Sequence, residues 1–521
     1  MRLALASFVP VLLLAAACAP ATPRIDGVAG TPPDPATPWT VPARVRTPPP
    51  ASAPPDAPAA TLALATDSAS AGRAAELSMT DVVDLALRNN PATRESWALA
   101  RAAVDQYGSA RGELYPTING NVTAVRSASS AGGGTVTVTG TGAGTGDTTG
   151  GTRTGTGSVG ASATRTILTP SISLSYLVFD FGGRAGTIES AKQQAIAADL
   201  AHNVTLQNVV LQVESALFSY LATHALRDAQ MTAVQEARAD TAAAEARLRV
   251  GVGTLEEVLQ TRTALAQEVL QLATLEGSLL TTRATLASTM GLPANARFEI
   301  PNITANDSVA AVAASVDTLI NRAITSRPDL AQARAEANAL AAQIRIARSA
   351  GYPALTLSST GSYTRPIQGI STSATRNYSL VLGVQIPIFN GFSRQFDTRT
   401  AQAQYEAGLA RVASTQQQIT VQVFTSYAAL QTATQRLTAA ADLLASATQS
   451  ADVALGRYRE GVGTIVDVLL ARSALVSARA DEIQARWEWR TALAQLAHDV
   501  GTLDQNGRPV IPLTPPAGIR R

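Results

Sequence analysis

The chain of 521 residues has a single cysteine, Cys18, and only three histidines, His202, His224 and His498. One cysteine cannot form an intrachain disulfide, and a zinc site built on several cysteines is excluded. None of the histidines has a second ligand at metal spacing, so the sequence predicts no metal site. Aromatic residues make up 4% of the chain, and 41 basic residues nearly cancel 39 acidic ones. This composition favours long helices packed through small side chains and argues against a nucleic-acid binder, which would carry a basic surface.

The sequence patterns of common enzyme classes are also missing. No glycine-rich loop stands between a strand and a helix with a following acid, and no Gly-x-Ser-x-Gly elbow occurs. The Gly- and Thr-rich tract over 132–160 is low complexity between two strands, which is a weak basis for a phosphate site. The sequence therefore predicts neither an enzyme nor a bound cofactor.

The first residues have the layout of a secretory signal. Arg2 precedes a short apolar run, and small residues lead into Cys18. The only cysteine of the chain stands where a bacterial lipoprotein would be acylated. Three residues before it, where such signals usually have leucine, this chain has Ala15. We predict a signal peptide over 1–17 and lipidation of Cys18, with ordinary signal cleavage as the alternative. Beyond this start, no run of about 18 uncharged apolar residues predicts a helical membrane span.

Proline-rich segments flank the body of the chain. Residues 18–75 hold most of the early prolines, and this composition predicts an extended tether with too little apolar surface to fold. Residues 509–521 form a similar short tail. The body between them is a duplication, with a first repeat over 76–300 and a second repeat over 301–508.

Motifs that recur at fixed spacing reveal the duplication. The turn motif Gly-Val-Gly-Thr occurs twice, 210 residues apart, and a phenylalanine- and glycine-containing motif recurs at the same offset. The matched stretches are 251–254 with 461–464, 179–182 with 389–392 and, at an offset of 237, 115–116 with 352–353. The difference of 27 residues lies in the Gly- and Thr-rich tract, so the first repeat has a lengthened loop.

Each repeat has the pattern of a short helix, two strands, a long helix and a returning helix. Apolar and small polar residues alternate with period two in the strands, which we predict over about 116–127, 165–179, 353–364 and 376–389. No proline interrupts the long helical segments, and a helix over 184–249 would be about 100 Å long. The other predicted helices cover 80–111, 255–290, 316–348 and 465–500. In the second repeat, heptad spacing predicts a packed seam through Leu409, Val423, Leu430, Leu437 and Leu444, with Val412, Ile419, Ala433 and Ala440 beside it.

Four strands cannot close a barrel, because about eight strands only just enclose their own side chains. Open sheet edges in a membrane would leave backbone groups unpaired, at a cost of several kcal/mol each. We therefore predict a mostly α chain with transmembrane β strands that closes its sheet by oligomerisation. Three copies would supply twelve strands, although periodicity alone does not select that number.

The order of these elements resembles that of the TolC-like outer-membrane efflux proteins, over about residues 76–501. The most specific stretch is 458–469, Tyr-Arg-Glu-Gly-Val-Gly-Thr-Ile-Val-Asp-Val-Leu, which is similar to the family's periplasmic-tip motif. The run Pro-Ile-Phe-Asn-Gly-Phe at 387–392, where a strand enters a helix, also resembles the family.

The resemblance implies a homotrimer with a 12-stranded β-barrel in the bacterial outer membrane, continued by an α-helical barrel in the periplasm. A periplasmic adaptor (a membrane fusion protein) would dock at the helix tips, and an inner-membrane transporter would drive export. With Cys18 acylated, the protein would also be anchored by outer-membrane lipid. The tip residues that the resemblance assigns to adaptor docking are Gly251, Gly253, Thr254, Tyr458, Gly461, Gly463 and Thr464.

The resemblance also implies a gate. Asp467 would point into the closed aperture, and Glu257 is its weaker counterpart in the first repeat. Leu470 stands where the archetype has a second aspartate, and Gly463 stands where it has an arginine. The closed gate could therefore be either a charged latch or a partly hydrophobic constriction. Both acids also fit the plainer interpretation of a solvated first turn of a helix.

The predicted function is the exit duct of a tripartite efflux pump, which passively conducts small molecules. Two alternatives remain open: an outer-membrane channel for type I protein secretion, and a lipid-anchored coiled-coil structural protein. The cargo, the pump and the adaptor are not readable from the sequence.

Overall fold

The computed structural model describes residues 34–39, 78–130, 162–298, 300, 311–312, 315–368, 373–503 and 513–514. Several predicted features lie outside the described residues: the signal peptide over 1–17, the lipidation site Cys18, most of the tether over 18–75, the tract over 132–160 and nearly all of the tail over 509–521.

Each repeat supplies two short helices, two strands, one 67-residue helix and one returning helix. The first repeat contains α1 (Met79–Asn89), α2 (Pro91–Gly112), β1 (Thr117–Ser130), β2 (Ser162–Phe179), α3 (Gly183–Arg249) and α4 (Leu255–Thr289). After the short β3 (Ala311–Val312), the second contains α5 (Val316–Ser326), α6 (Pro328–Ser349), β4 (Ala354–Gln368), β5 (Thr375–Gln385), α7 (Ser393–Arg459) and α8 (Ile465–Val500). A final β6 (Leu513–Thr514) pairs with β3. The helices α3 and α7 begin and end at positions that are 210 residues apart, which confirms the predicted duplicated plan.

The short helices predicted over 80–111 and 316–348 are wrong as single helices, because each is broken in two. The breaks fall at Asn90 and Arg327, whose ψ angles of 128° and 126° are extended. A proline follows each of these residues, and its ring disfavours the helical conformation at the preceding position. The first residue of each second helix is therefore Pro91 or Pro328, where a missing N–H costs nothing.

The four long strands form one antiparallel sheet in the order β1-β2-β4-β5. The central pairing of β2 with β4 joins the two repeats, and β1 and β5 are its two edges. β4 runs four residues beyond the predicted 364, and β5 stops at Gln385 rather than at 389. Pro387 explains the early stop, because it has no N–H to donate to a neighbouring strand.

The strands enter the long helices through two consecutive residues with positive φ. In the first repeat these are Phe181 (53°) and Gly182 (94°), and in the second they are Gly391 (67°) and Phe392 (65°). Positive φ is strained for any residue with a side chain but not for glycine. Each corner therefore has one unstrained glycine and one strained phenylalanine, in opposite order in the two repeats. Ring contacts offset the strain, since Phe181 lies 5.2 Å from the ring of Tyr352 and Phe392 lies 5.4 Å from a neighbouring phenylalanine ring.

The chain divides into two compact units. We call residues 109–189 and 342–402 the sheet unit, and residues 1–108, 190–341 and 403–521 the helical unit. Among the described helices, α3 alone is long and apolar enough to cross a membrane by length and composition. This is weak evidence for a span, because a buried core helix meets the same criteria.

The core of the helical unit follows the predicted heptad seam of α7. Six of the nine predicted seam residues are buried: Ile419, Val423, Leu430, Ala433, Leu437 and Ala440. Leu409 departs from the prediction, since 46% of it is exposed. Ser426, which interrupts the pattern in sequence, is buried and bonds to the carbonyl oxygens of Gln422 and Val423. The hydroxyl is therefore satisfied without disturbing the packing.

Residues 34–39 of the predicted tether pack against α3. The backbone N–H of Trp39 donates to Asn203 Oδ1 at 2.7 Å, and Asn203 Nδ2 donates back to the Trp39 carbonyl at 2.7 Å. Trp39 is only 5% exposed. This part of the tether is therefore fixed to the helical unit by a reciprocal pair of hydrogen bonds and by a buried ring.

The α3 helix buries two carboxyl groups that lack counter-charges. Asp199 and Glu214 are 0% and 2% exposed, and Asp199 has no hydrogen-bond partner among the described residues. Burial raises the pKa of each side chain to about 7. One turn after Asp199, buried His202 contacts Ser96 Oγ through Nδ1 at 2.8 Å, and burial lowers its pKa. At offset 210 the acids correspond to Leu409 and Phe424, so the repeats have diverged here.

These acids should make the folded state less stable as the pH rises. Their pKa in the unfolded chain is about 4, so the folded state holds these protons more tightly and loses stability between about pH 4 and pH 7. We expect Asp199→Asn or Glu214→Gln to stabilise the protein at pH 8 by up to about 4 kcal/mol, and far less at pH 4. The melting temperature of detergent-purified protein measures the effect.

Asp442→Asn is the matched control, because Asp442 lies exposed on α7. Its melting temperature should stay close to that of the parent protein at both pH values. An equal gain for the buried variants at pH 4 and pH 8 would contradict the proposed burial of unpaired charge.

Candidate functional site

The turn between α3 and α4 is closed by converging backbone hydrogen bonds. The N–H groups of Val252 and Gly253 both donate to the carbonyl oxygen of Arg247, at 3.0 and 3.1 Å. Its two glycines are needed for different reasons. Gly251 has φ 80°, whereas a Cβ on Gly253 would meet the backbone at Leu248 N at 3.0 Å.

The turn between α7 and α8 repeats this geometry. Val462 and Gly463 donate to the Arg457 carbonyl at 2.9 and 3.1 Å, and Gly461 has φ 77°. A Cβ on Gly463 would lie 3.2 Å from the Cβ of Arg457. The predicted tip motif is thus two copies of one turn, and a larger residue at its second glycine would require the neighbouring atoms to give way.

A threonine caps each returning helix, but the following acids differ. Thr254 Oγ1 accepts from Glu257 N at 3.2 Å, and Thr464 Oγ1 accepts from Asp467 N at 3.3 Å. Only Asp467 closes a capping box, by accepting from Thr464 N at 3.0 Å. Hydrogen bonds from Thr464 hold the pKa of Asp467 below its usual range. Asp467 therefore remains an exposed carboxylate that is fixed at the start of α8.

Glu257 instead lies beside the other repeat. The ring of Tyr458, which is buried, lies 4.9 Å from the guanidinium carbon of Arg247. Burial raises the pKa of Tyr458, and the neighbouring carboxylate of Glu257 raises it further. Among the described residues, neither Glu257 Oε2 nor the Tyr458 hydroxyl has a hydrogen bond of ordinary geometry. We call these three side chains the tip contact; it links the two turns of one protomer.

The two turns expose apolar side chains. Val252 and Val462, the central residues of the turns, are 66% and 68% exposed, and Leu470 is 66% exposed. Beneath the second turn, Tyr458, Ile465 and Val468 form a small buried cluster. The turns are therefore held rigidly from below while they present apolar groups outward, an arrangement that is typical of a binding surface.

A groove of about 770 Å³ lies next to the turns, between α3, α4 and α8. Its apolar lining is Leu255, Leu259, Val466, Leu469 and Leu470. Its polar wall is an ion-pair network in which Arg472 contacts Glu236 at 2.6 Å and Asp240 at 3.6 Å. Burial raises the pKa of Asp240, while Arg472 opposes that rise.

Sequence reasoning found the backbone of this site but missed several of its side chains. The structure brings together Gly251, Gly253, Thr254, Tyr458, Gly461, Gly463 and Thr464, with Glu257, Asp467 and Leu470 beside them. The sequence did not predict the contact of Arg247 with Tyr458, and it did not predict the groove. Arg247 and Arg457 match at offset 210, but repetition does not show that only one of them stacks on an aromatic ring. Within the described part of the chain, no three His, Cys, Asp or Glu side chains could hold a metal ion.

Comparisons with known proteins bear on the whole chain. The family model described as "Outer membrane efflux protein" matches residues 82–292 and 319–502, which is more than half of the chain. The chain is 28% identical over 452 residues to Protein CyaE of Bordetella pertussis, and the match covers 86% of this chain and 88% of that protein. It is 24% identical over 366 residues to the outer membrane efflux protein BepC of Brucella suis, with 68% and 77% covered.

Solved structures show the same fold. The outer membrane protein VceC of Vibrio cholerae matches with a TM-score of 0.66 and 20% identity, covering 81% of this chain and 96% of that one. The open state of the MtrE outer membrane channel of Neisseria gonorrhoeae matches with a TM-score of 0.67 and 18% identity, covering 82% and 90%. The predicted fold class, mostly α with strand pairs and long helices in duplicate, is confirmed.

Proposed function

Because this chain belongs to the outer membrane efflux protein family, we propose that it is the outer-membrane exit duct of a tripartite pump that exports small molecules. The observation that carries this proposal is a four-stranded sheet with two free edges and one apolar face that is exposed in the single chain. Such a sheet needs further strands and an apolar solvent, and a membrane barrel shared between copies supplies both.

A homotrimer satisfies these requirements. Three copies bring twelve strands, and each β1 edge can pair with a β5 edge of a neighbour. On β2, the apolar positions from Leu168 to Val178 extend about 33 Å along the strand. At a strand tilt of about 40° this spans about 25 Å, which is the height of the apolar band in membrane barrels.

The tip turns are the proposed docking surface for a periplasmic adaptor, which would connect the duct to an inner-membrane transporter. The exposed Val252 and Val462 and the adjacent groove support this assignment, because apolar groups on a rigid turn bind a partner at little cost in entropy. The glycines and threonines of the two turns fix the backbone conformation that exposes these valines.

The gate is proposed to lie at the same end of the helices. Asp467 and Leu470 are exposed there and would face the aperture together, one charged and one apolar. Glu257 would act differently, through the tip contact with Tyr458 and Arg247. That contact joins the two repeats, so separating their helix pairs requires breaking it.

The docking proposal is tested by a charge at the turn surface. In a strain whose drug resistance depends on this protein, we expect the double variant Val252→Arg and Val462→Arg to lower the minimum inhibitory concentration at least fourfold. Cross-linking should still give trimers, because neither side chain is packed. Val421→Arg is the matched control, since Val421 is 63% exposed on α7 away from the turns. Unchanged susceptibility of the double variant would remove the docking assignment.

The gate proposal is tested by channel conductance. In planar bilayers, Arg247→Ala combined with Tyr458→Phe should raise single-channel conductance severalfold, because the link between the repeats is lost. Arg238→Ala is the control, because Arg238 is an exposed arginine on the same helix as Arg247. If both variants conduct like the parent protein, the tip contact does not hold the channel closed.

Lipidation of Cys18 remains part of the proposal, supported by its place as the sole cysteine directly after a signal-like run. Cells grown with labelled palmitate should label the parent protein and leave Cys18→Ser unlabelled. The barrel strands, rather than the lipid, hold the proposed duct in the membrane. The variant should therefore still resist alkaline extraction, and label recovered on Cys18→Ser would refute this site.

A further inference from the structure

The sheet carries charge of only one sign. Each of its four strands contains one charged residue, and each of these is an arginine: Arg126, Arg165, Arg365 and Arg376. All four are exposed. No Asp or Glu occurs within the bounds of these strands. Cationic groups on a sheet without acidic residues indicate an anionic partner.

All four arginines lie toward the hairpin end of the sheet. Arg126 is directly opposite Thr166, and Arg165 is opposite Ser127. Arg365 is opposite Leu168. Arg376 is opposite Tyr363, close to the start of β5. The opposite end of the sheet, where the strands lead into the long helices, has no arginine within the strand bounds.

Strand alternation separates the arginines between the two faces. Residues paired across an antiparallel ladder share a face, and side chains two apart along a strand also share it. Arg126 is thus on the face of Val122, Arg365 on the face of Leu168, and Arg376 on the face of Tyr378. This is the apolar face, which also carries Ile118, Ile172, Leu380, Leu382 and Val384. Arg165 is on the other face, with Ser171 and Ser173.

The apolar face has the layering of a membrane surface. Its aliphatic residues are followed, toward the hairpins, by Tyr363 and Tyr378 and by the three arginines. Tyrosines sit at the level of lipid headgroups in membrane barrels. The arginines are staggered in register, by two residues from β1 to β4 across β2 and by two residues from β4 to β5.

We propose that Arg126, Arg365 and Arg376 bind phosphate groups of lipids in the leaflet around the hairpin end of the sheet. This inference rests on the proposed function, since it requires the apolar face to be in contact with lipid. A guanidinium binds a phosphate through two parallel hydrogen bonds, which suits this residue type. The guanidinium carbon of Arg376 lies 5.8 Å from the Tyr363 ring centroid, so its head is already oriented at the headgroup level.

The partner is a lipid rather than a free phosphate ion. The arginines are exposed on an open face of the sheet, where a small anion would stay in contact with water. A phosphorylated lipid adds its acyl chains, which cover the aliphatic residues on the same face. Both parts of the molecule are therefore recognised together, the phosphate by the arginines and the chains by the apolar band.

The experiment measures lipid binding to the purified, delipidated full-length protein in a neutral detergent. Native mass spectrometry counts bound diphosphoryl lipid A, with its dephosphorylated form as a second probe. We expect the triple variant R126Q/R365Q/R376Q to bind diphosphoryl lipid A at least tenfold more weakly. R165Q, which removes an equal charge per site from the opposite face, should change binding less than twofold. The dephosphorylated lipid should bind the parent protein weakly.

Three outcomes would overturn the proposal: a triple variant that binds like the parent, an R165Q variant that loses as much binding, or full competition by millimolar inorganic phosphate. The corresponding triple lysine variant keeps the charge and should bind with intermediate strength, which covers the case in which the glutamine variant does not fold. Alkaline extraction and conductance are measured on the same variants. If the triple variant keeps normal extraction, conductance and lipid binding, the lipid inference fails and the proposed duct stands. If the parent protein itself is extracted at alkaline pH, the proposed duct is contradicted.

Discussion

The whole design depends on the need to pair every backbone group of a sheet that lies in a membrane. The sheet of one chain ends at β1 and β5, and both edges present unpaired N–H and C=O groups. In hydrocarbon each such group costs several kcal/mol, so the isolated protomer is an incomplete fold in that solvent. Assembly is therefore a condition for insertion. The apolar face of the same sheet, which is exposed in the single chain, agrees with the proposed contact with lipid.

The duplication gives two similar halves that differ in chemistry at the tip and in the helical core. At the tip, both turns have the same hydrogen bonds, yet Asp467 closes a capping box while Glu257 lies beside Tyr458 of the other repeat. In the helical core, α3 buries Asp199 at a position where α7 has Leu409. Closely matched backbones thus allow different chemistry at equivalent positions.

The sequence was sufficient for the fold because the strongest signals in it are local. Period-two alternation and the absence of proline predicted the four strands and the 67-residue helices, and the offset of 210 fixed their pairing into repeats. The strand β5 ended early at Gln385, two residues before Pro387, and the short helices broke before Pro91 and Pro328, where one residue overrides the surrounding pattern. Contacts between repeats, such as that of Arg247 with Tyr458, join residues far apart in the chain, so no local sequence pattern predicts them.

The attachment of Trp39 to Asn203 limits where a membrane anchor can be. A chain spans at most about 3.5 Å per residue, so the 21 steps from Cys18 to Trp39 reach about 70 Å. The proposed acyl group on Cys18 would therefore have to enter the bilayer within that radius of Asn203 on α3. A lipid attached at this site, as proposed, would thus be confined to the membrane next to its own protomer.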